Sequence, residues 1–258
     1  MAIHVSESPD GMVLEVVIDR PKANAIDAAT SRELGEVFHS FMGHPTQRVA
    51  IFTGNGEKFF SAGWDLNAAS GGESFESDYG IGGFGGYPEL VGRNKPIIAA
   101  INGMAVGGGF EIAMAADLIV AAEHATFSLP EAKVGVLPDA GTVRLPRLLP
   151  TALANEVLLA GRVLTASECL DHGLINAITP GERLMDVARE VAERICASAP
   201  LSVAAILDVQ RDVENLPLHE AMARMRVNGS YKRAIDSSDA QEGPRAFAEK
   251  RAPRWTGR

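Results

Sequence analysis

Two glutamates are the residues of this sequence best suited to proton-transfer chemistry. Glu111 falls in the first turn of a predicted helix with little polar surface, residues 109–116. The helix dipole favours a carboxylate there, whereas burial raises its pKa into the range that suits proton transfer. A helix-terminal charge held by a backbone or arginine partner explains Glu111 about as well. Glu131 comes just after a predicted strand at 126–129, and taken alone it is equally a surface charge paired with Lys133.

Three consecutive glycines, Gly107 to Gly109, stand between a predicted buried strand and the helix that carries Glu111. Glycine lets the backbone approach a ligand closely, and the first N–H groups of a helix point outward unpaired. The segment therefore predicts an anion-binding corner, although glycines at such turns often serve only close packing. Residues 61–66 (SAGWDL) taken alone read as an ordinary turn, with Trp64 in the core.

The elements that must position these residues alternate between strand and helix. Apolar runs and turn signals predict strands at 12–19, 48–53, 97–101, 118–122 and 126–129, and helices at 28–41 and 109–116. This alternation indicates an α/β layer structure. Three amphipathic helices follow Pro180, at 182–199, 201–214 and 218–234. The glycine-rich segment 68–86, which contains Phe75, Tyr79 and Phe84, is either a flap over a site or a mobile surface loop.

Composition and missing motifs exclude several classes of function. The chain has 258 residues and a net charge of −9, which disfavours nucleic-acid binding. No basic segment followed by an apolar run opens it and no stretch is long enough to cross a bilayer, so we expect a cytoplasmic protein without a membrane partner. Cys169 and Cys196 are isolated, which argues against structural zinc. Residues 80–85 match GxGxxG but follow no buried strand, so no dinucleotide site is expected.

Four segments, in their order and spacing, resemble the enoyl-CoA hydratase/isomerase (crotonase) superfamily. They are 20–26 (RPKANAI), 61–66 (SAGWDL), 102–111 (NGMAVGGGFE) and the pair Pro130-Glu131. The resemblance covers nearly the whole chain. It implies a crotonase-like ββα spiral core of the α/β class, with residues 1–195 as the catalytic domain and 196–258 as a helical C-terminal trimerisation region. It also implies an acyl-CoA thioester substrate, a homotrimer or dimer of trimers, and no metal or redox cofactor.

The same resemblance assigns roles to individual residues. The backbone N–H groups of Trp64 and Gly108 would form an oxyanion hole for the thioester carbonyl, while Glu111 would handle the water and Glu131 the proton on the α-carbon. The presence of both glutamates favours hydratase or dehydratase chemistry. Residues implied in binding CoA or substrate are Lys22, Ala23, Ala25, Ala62, Asp65, Leu66, Asp139, Phe247 and Lys250. The last two would reach CoA from a C-terminal helix, often across a trimer interface.

Further stretches resemble the carnitinyl-CoA dehydratase branch of that superfamily, namely 19–27, 56–66, 129–133 and 242–251. The substrate of that branch carries a quaternary ammonium group, which is best held by aromatic faces. The aromatic residues expected in or near the pocket are Trp64, Tyr79, Phe84 and Phe110. Apolar packing around any short acyl chain explains these residues comparably well.

The segment 138–145 (PDAGTVRL) departs from the family pattern. It is one residue shorter than the family loop that often helps place the water, and it lacks that loop's paired glycines. Asp139 adds a third acid where simple hydratases commonly have glycine and dienoyl-CoA isomerases have an aspartate. General enoyl-CoA hydration and enoyl or dienoyl isomerisation therefore stay open. A non-catalytic CoA-ester-binding protein is disfavoured, because such a protein needs no pair of carboxylates at the thioester.

Overall fold

The structure, a computed structural model, describes residues 2–258. Its strands are β1 (Ile3–Glu7), β2 (Val13–Ile18), β3 (Val49–Gly54), β4 (Phe59–Ser61), β5 (Ile97–Ile101), β6 (Met104–Val106), β7 (Leu118–Ala122), β8 (Thr126–Ser128), β9 (Leu164–Thr165) and β10 (Ala177–Thr179). Its α-helices are α1 (Ala28–Gly43), α2 (Leu66–Ser70), α3 (Gly108–Ala115), α4 (Asp139–Leu148), α5 (Thr151–Ala160), α6 (Ala166–Asp171), α7 (Leu184–Cys196), α8 (Pro200–Val213), α9 (Leu218–Val227), α10 (Gly229–Ile235) and α11 (Ser238–Ala248).

Two sheets share these strands. The larger has the order β1-β2-β3-β5-β7-β10, and the smaller has the order β4-β6-β8-β9. Pairing is parallel except between β1 and β2 and between β8 and β9. Three times in succession, one strand enters the larger sheet, the next enters the smaller sheet, and a helix follows. The chain thus advances as a spiral of ββα turns, which confirms the predicted fold class, including its helical C-terminal region.

The central strands are buried on both faces. Every residue of β3 and β5 is buried, as their unbroken apolar runs predict for parallel strands covered on both sides. Helix α7 covers one face of the larger sheet, where Leu184 and Ala188 pack with strand residues such as Ile98. On the other face, Leu34 and Phe38 lie four residues apart along α1 and so enter the core from the same side of that helix. This double-sided packing fixes the strand ends at which the candidate site is built.

One predicted helix is wrong in extent. The segment 218–234, expected as a single helix, forms α9 and α10, which meet at Asn228. The side-chain oxygen of Asn228 accepts hydrogen bonds from the N–H groups of Ser230 (2.9 Å) and Tyr231 (3.0 Å). Asparagine is among the preferred N-capping residues because its side chain replaces the missing helical acceptor, so it starts a new helix here. The other predicted strands and helices lie within a few residues of their expected positions.

The C-terminal helices leave large apolar side chains exposed. Leu218 is 78% exposed and Phe247 is 86% exposed, whereas α7 is well buried against the sheet. The predicted boundary between residues 195 and 196 falls at the end of α7 and stays a prediction. Among residues 2–258, no helix combines the length and the apolar character needed to cross a membrane.

Candidate active site

A cavity of about 530 Å³ lies where the ends of the smaller sheet meet the starts of three helices. It is bordered by the segment after β4, the turn between β6 and α3, a 3-10 helix at Glu131–Val134 and the start of α4. All four residues predicted to act on the thioester line it: Trp64, Gly108, Glu111 and Glu131. Of the predicted binding residues, Ala25, Ala62, Asp65, Leu66 and Asp139 also line it.

Two backbone segments touch on one side of this cavity. Gly63 has a φ of +78°, and a Cβ added there would lie 2.6 Å from the nitrogen of Gly108. A Cβ on Gly109 would lie 2.2 Å from the carbonyl oxygen of Ser61. Only glycine allows this approach, which brings the Trp64 and Gly108 N–H groups to the same part of the cavity. Neither N–H donates to another group within residues 2–258, as two oxyanion donors require.

The first motif holds that corner in place. Arg20 forms ion pairs with Asp27 (2.8 Å) and Asp65 (3.2 Å), and so ties the first motif to the second. The N–H of Ile26 donates to the Gly63 carbonyl at 2.8 Å, which fixes the backbone just before Trp64. The glycines of the corner are therefore positioned by side chains and backbone well before them in the chain.

Lys22 and Ala23, predicted in contact with substrate, lie outside the cavity lining. The carbonyl of Ala23 accepts a hydrogen bond from the N–H of Ala62 at 2.9 Å. In the structure Ala23 therefore supports a lining residue. The adenine and pantetheine contacts expected of this motif stay predictions.

Glu111 is a buried acid in the first turn of α3 and is only 9% exposed. Its pKa is raised to about 7, mainly by burial and in smaller part by the charges of Glu131 and Asp139, while the Gly141 N–H and Arg144 oppose the shift. Gly141, in the first turn of α4, donates its N–H to Glu111 Oε1 at 2.6 Å. A carboxyl group that titrates near neutral pH can both take up and release a proton under ordinary conditions.

Glu131 opens the 3-10 helix beside the glycine corner. A Cβ on Gly107 would lie 2.6 Å from Glu131 Oε1, so the carboxylate lies directly against that backbone. Its Oε2 is buried and has no hydrogen-bond partner within residues 2–258, and burial raises the pKa of the group. Lys133 instead donates to the carbonyl of Gly161 at 3.2 Å. The surface-pair interpretation of Glu131 is therefore wrong.

The segment 138–145 forms the start of a helix. Residues from Asp139 onward belong to α4, and the backbone N–H of Gly141 within its first turn is the one that reaches Glu111. A loop was expected here, but first-turn N–H groups lack intrahelical partners, and a buried carboxylate satisfies one of them. Asp139 lines the cavity at the N-terminus of α4, where the helix dipole favours a negative charge.

Four aromatic side chains line one part of the cavity, and we call them the aromatic wall: Trp64, Phe75, Tyr79 and Phe84. Phe110, expected with them, is fully buried and packs against Phe127 with ring centroids 5.3 Å apart. The expectation was wrong because consecutive helical residues point about 100° apart, so α3 turns Phe110 into the core when Glu111 faces the cavity. Tyr79 and Phe84 confirm that the glycine-rich segment 68–86 reaches the cavity.

Comparison with known proteins places this geometry in a family. The enoyl-CoA hydratase/isomerase family model matches residues 9–258. The chain belongs to this family. Carnitinyl-CoA dehydratase of Proteus mirabilis (strain HI4320) is 54% identical over 251 residues, covering 96% of each chain. Its counterpart in Escherichia coli (strain K12) is 52% identical over 260 residues, covering 100% of this chain and 99% of the relative.

Solved structures of the enoyl-CoA hydratase/isomerase family have the same fold. Enoyl-CoA hydratase from Mycobacterium tuberculosis H37Rv aligns with a TM-score of 0.91 at 37% identity, covering 100% of this chain and 99% of that one. Enoyl-CoA hydratase from Bacillus anthracis aligns with a TM-score of 0.92 at 33% identity, covering both chains completely. The predicted family, the fold and the hydro-lyase class are confirmed.

Phe247 and Lys250 lie apart from the cavity described above. Phe247 is 86% exposed near the end of α11, and Lys250 follows that helix with a φ of +53°. Neither lines the cavity. Their predicted contact with CoA from a neighbouring subunit stays a prediction.

Three residues near the site were not anticipated from the sequence: Glu73, Gly141 and Arg144. Glu73 accepts a hydrogen bond from the Trp64 indole N–H at 2.8 Å, and no motif points to it. Gly141 and Arg144 belong to the segment 138–145, whose sequence does not show that they act on Glu111. Within residues 2–258, no three His, Cys, Asp or Glu side chains gather as metal ligands would, and the expected absence of a metal or redox cofactor stays a prediction.

Proposed function

We propose that this protein catalyses the reversible dehydration of carnitinyl-CoA to crotonobetainyl-CoA and water. One observation carries the proposal: two carboxyl groups with raised pKa values, Glu111 and Glu131, face one cavity beside two unpaired backbone N–H groups. Elimination of water needs a base at the α-carbon, an acid at the leaving hydroxyl group and a site for charge on the thioester oxygen. The cavity holds a group suited to each task.

The steps follow from this arrangement. The thioester carbonyl oxygen accepts hydrogen bonds from the Trp64 and Gly108 N–H groups, which stabilise the negative charge that develops when the α-proton leaves. Ionised Glu131 removes that proton. Protonated Glu111 gives its proton to the β-hydroxyl group, which leaves as water as the double bond forms. Hydration runs the same steps backward, with Glu111 taking the proton from water. No electron is transferred, so the proposed reaction needs no redox cofactor.

The substrate's charged end fits the aromatic wall. Carnitinyl and crotonobetainyl groups carry a trimethylammonium group, which cannot donate a hydrogen bond and is attracted to aromatic faces. The relatives at 52% and 54% identity are named for carnitinyl-CoA, which supports the same substrate here. Double-bond isomerisation is the second candidate, because Asp139 brings a third carboxyl group to the cavity.

We further propose a homotrimer or dimer of trimers in the cytoplasm. The exposed apolar side chains of the C-terminal helices, Phe247 among them, support assembly through this region. The mass of the purified protein in solution, measured by light scattering against the 27.3 kDa protomer, tests the assembly.

A comparison of two substrates tests the proposed reaction. Hydration of crotonobetainyl-CoA and of crotonyl-CoA is followed through loss of the conjugated thioester absorbance, for the wild type, Glu111→Gln and Glu131→Gln. We expect crotonobetainyl-CoA to give the higher kcat/KM and each variant to lose about 10²- to 10⁴-fold in rate. Glu123→Gln, a change at an exposed glutamate, is the matched control. A higher kcat/KM for crotonyl-CoA would make the protein a general hydratase, and conversion without water uptake would make it an isomerase.

A further inference from the structure

The aromatic wall is assembled from two ring pairs. The centroids of Trp64 and Phe75 lie 4.1 Å apart with the rings tilted by 37°, and those of Tyr79 and Phe84 lie 5.4 Å apart, edge to face. A Cβ on Gly108 would lie 2.5 Å from the Phe84 ring, so this pair stands directly beside the candidate oxyanion hole. A short acyl group held there by its carbonyl oxygen has its far end within reach of these rings.

Glu73 fixes this wall through the Trp64 indole. Its Oε1 accepts from Trp64 Nε1 at 2.8 Å, and its Oε2 accepts from the N–H of Ala28 at 3.0 Å. Ala28 is the first residue of α1, and the N-terminus of a helix favours a negative charge. Both carboxylate oxygens are thus engaged, which holds the half-buried Glu73 side chain in one place beside the indole.

The charge of Glu73 is not neutralised by a basic side chain. Within residues 2–258, Glu73 forms no ion pair with lysine, arginine or histidine. The electrostatic field of Glu73 reaches the aromatic wall. The pKa of Tyr79 is raised first by burial and second by the Glu73 charge, while a hydrogen bond with Trp64 lowers it by less. A carboxylate that accepts from an indole N–H also polarises the ring, which makes the ring face more attractive to a cation.

We propose that Glu73 is a positioning residue that makes the aromatic wall select the cationic end of the substrate over a neutral group of the same shape. The inference rests on the proposed function and adds to it a residue outside the catalytic pair. The rest of the cavity agrees with it: Glu111, Glu131 and Asp139 line it, and none of its lining residues is basic in the part of the chain that the structure describes. Such a cavity favours a positive group at its far end.

An isosteric pair of substrates separates charge from shape. Crotonobetainyl-CoA is compared with its neutral analogue, in which a tert-butyl group replaces the trimethylammonium group. Glu73→Gln removes the charge and keeps an oxygen that can accept from Trp64, while its NH2 group replaces the oxygen that accepts from the Ala28 N–H. We expect the ratio of kcat/KM for the cationic over the neutral substrate to fall about tenfold, mainly through KM. Glu76→Gln is the matched control, because Glu76 is exposed in the same segment and its side chain makes no hydrogen bond among the described residues, so its ratio stays at the wild-type value.

The outcomes separate the two proposals. If Glu73→Gln slows both substrates by the same factor, Glu73 only supports the fold and the inference is overturned while the proposed function stands. If the wild type shows no preference for the cationic substrate, both proposals fail. Should Glu73→Gln not fold, Trp64→Phe decides, because phenylalanine keeps a ring but cannot donate to Glu73. If Trp64→Phe keeps the wild-type ratio of kcat/KM for the cationic over the neutral substrate, the inference is also overturned.

Discussion

The backbone N–H of Gly141 donates to Glu111 Oε1 at 2.6 Å, and it is the one hydrogen-bond donor to that carboxyl group among residues 2–258. A single neutral donor compensates only part of the cost of burying a carboxylate. The pKa of Glu111 therefore stays high, at about 7, chiefly because of burial. One contact between α3 and α4 thus leaves the acid poised near neutral pH, and this has consequences for rate and for stability.

The rate of hydration depends on pH through Glu111. In either direction the reaction needs one proton held by the pair of glutamates, because Glu131 gives a proton to the α-carbon when Glu111 takes one from water. Glu111 loses that proton with a pKa of about 7. We therefore expect kcat/KM for hydration to fall as pH rises above about 7, approaching tenfold per unit. Hydration takes up no net proton, so its equilibrium constant does not depend on pH, and kcat/KM for dehydration follows the same profile. Profiles in both directions measure this, and constant kcat/KM values between about pH 7 and pH 9 would refute the assignment.

The stability of the protein depends on the same group. The pKa of Glu111 rises from an ordinary value of 4.5 to about 7 on folding, so the folded state binds more protons between these values and loses stability as pH rises through them. Glu111→Gln removes that penalty while its side-chain oxygen can still accept from Gly141. We expect the free energy of unfolding of this variant to exceed that of the wild type by on the order of 2–3 kcal/mol at pH 8, and by much less at pH 5. Urea unfolding at both pH values measures this, and an equal difference at the two would contradict it.

Local sequence signals predict most of the strands and helices that position the site. The apolar runs of β5 and β7 are bounded by turn residues, and three glycines mark the start of α3. These signals specify a strand end and a helix start without reference to distant residues. The directions in which individual side chains point are harder to predict from the sequence. Phe110 is expected in or near the pocket, but it is fully buried in the core, because adjacent helical residues point about 100° apart and Glu111 faces the cavity.

Contacts between distant residues could not be predicted from the sequence. Glu73 contacts the N–H of Ala28, which lies 45 residues earlier, and no spacing rule connects the two. Gly141 likewise reaches Glu111 across 30 residues through the packing of α4 on α3. The break at Asn228, in contrast, had a local signal, since asparagine is a common N-cap.

The position of Glu131 is tested at Gly107. A Cβ there would lie 2.6 Å from Glu131 Oε1, so Gly107→Ala displaces the carboxylate from the α-carbon. Gly135→Ala is the matched control, because Gly135 also has a positive φ, of +85°, but has no atom within 4 Å of an added Cβ. We expect Gly107→Ala to lower kcat for hydration by at least about tenfold, while the control loses only stability, by about 1 kcal/mol. Equal kcat values for the two variants would mean that the contact between Gly107 and Glu131 does not set the position of the carboxylate during the reaction.

The candidate oxyanion hole is tested at Gly63. Its φ of +78° and the 2.6 Å from an added Cβ to the Gly108 nitrogen mean that Gly63→Ala must push the two donor segments apart. Gly56→Ala separates this effect from backbone strain, since Gly56 has a φ of +85° and open space around it. Both changes cost stability, but only Gly63→Ala moves the Trp64 and Gly108 N–H groups. We expect it to lower kcat by about 10²- to 10³-fold, as the loss of one oxyanion donor does, with Gly56→Ala near the wild type. Steady-state kinetics together with thermal unfolding of both variants decide the matter: a folded Gly63→Ala protein with wild-type kcat would mean that the thioester oxygen is held elsewhere.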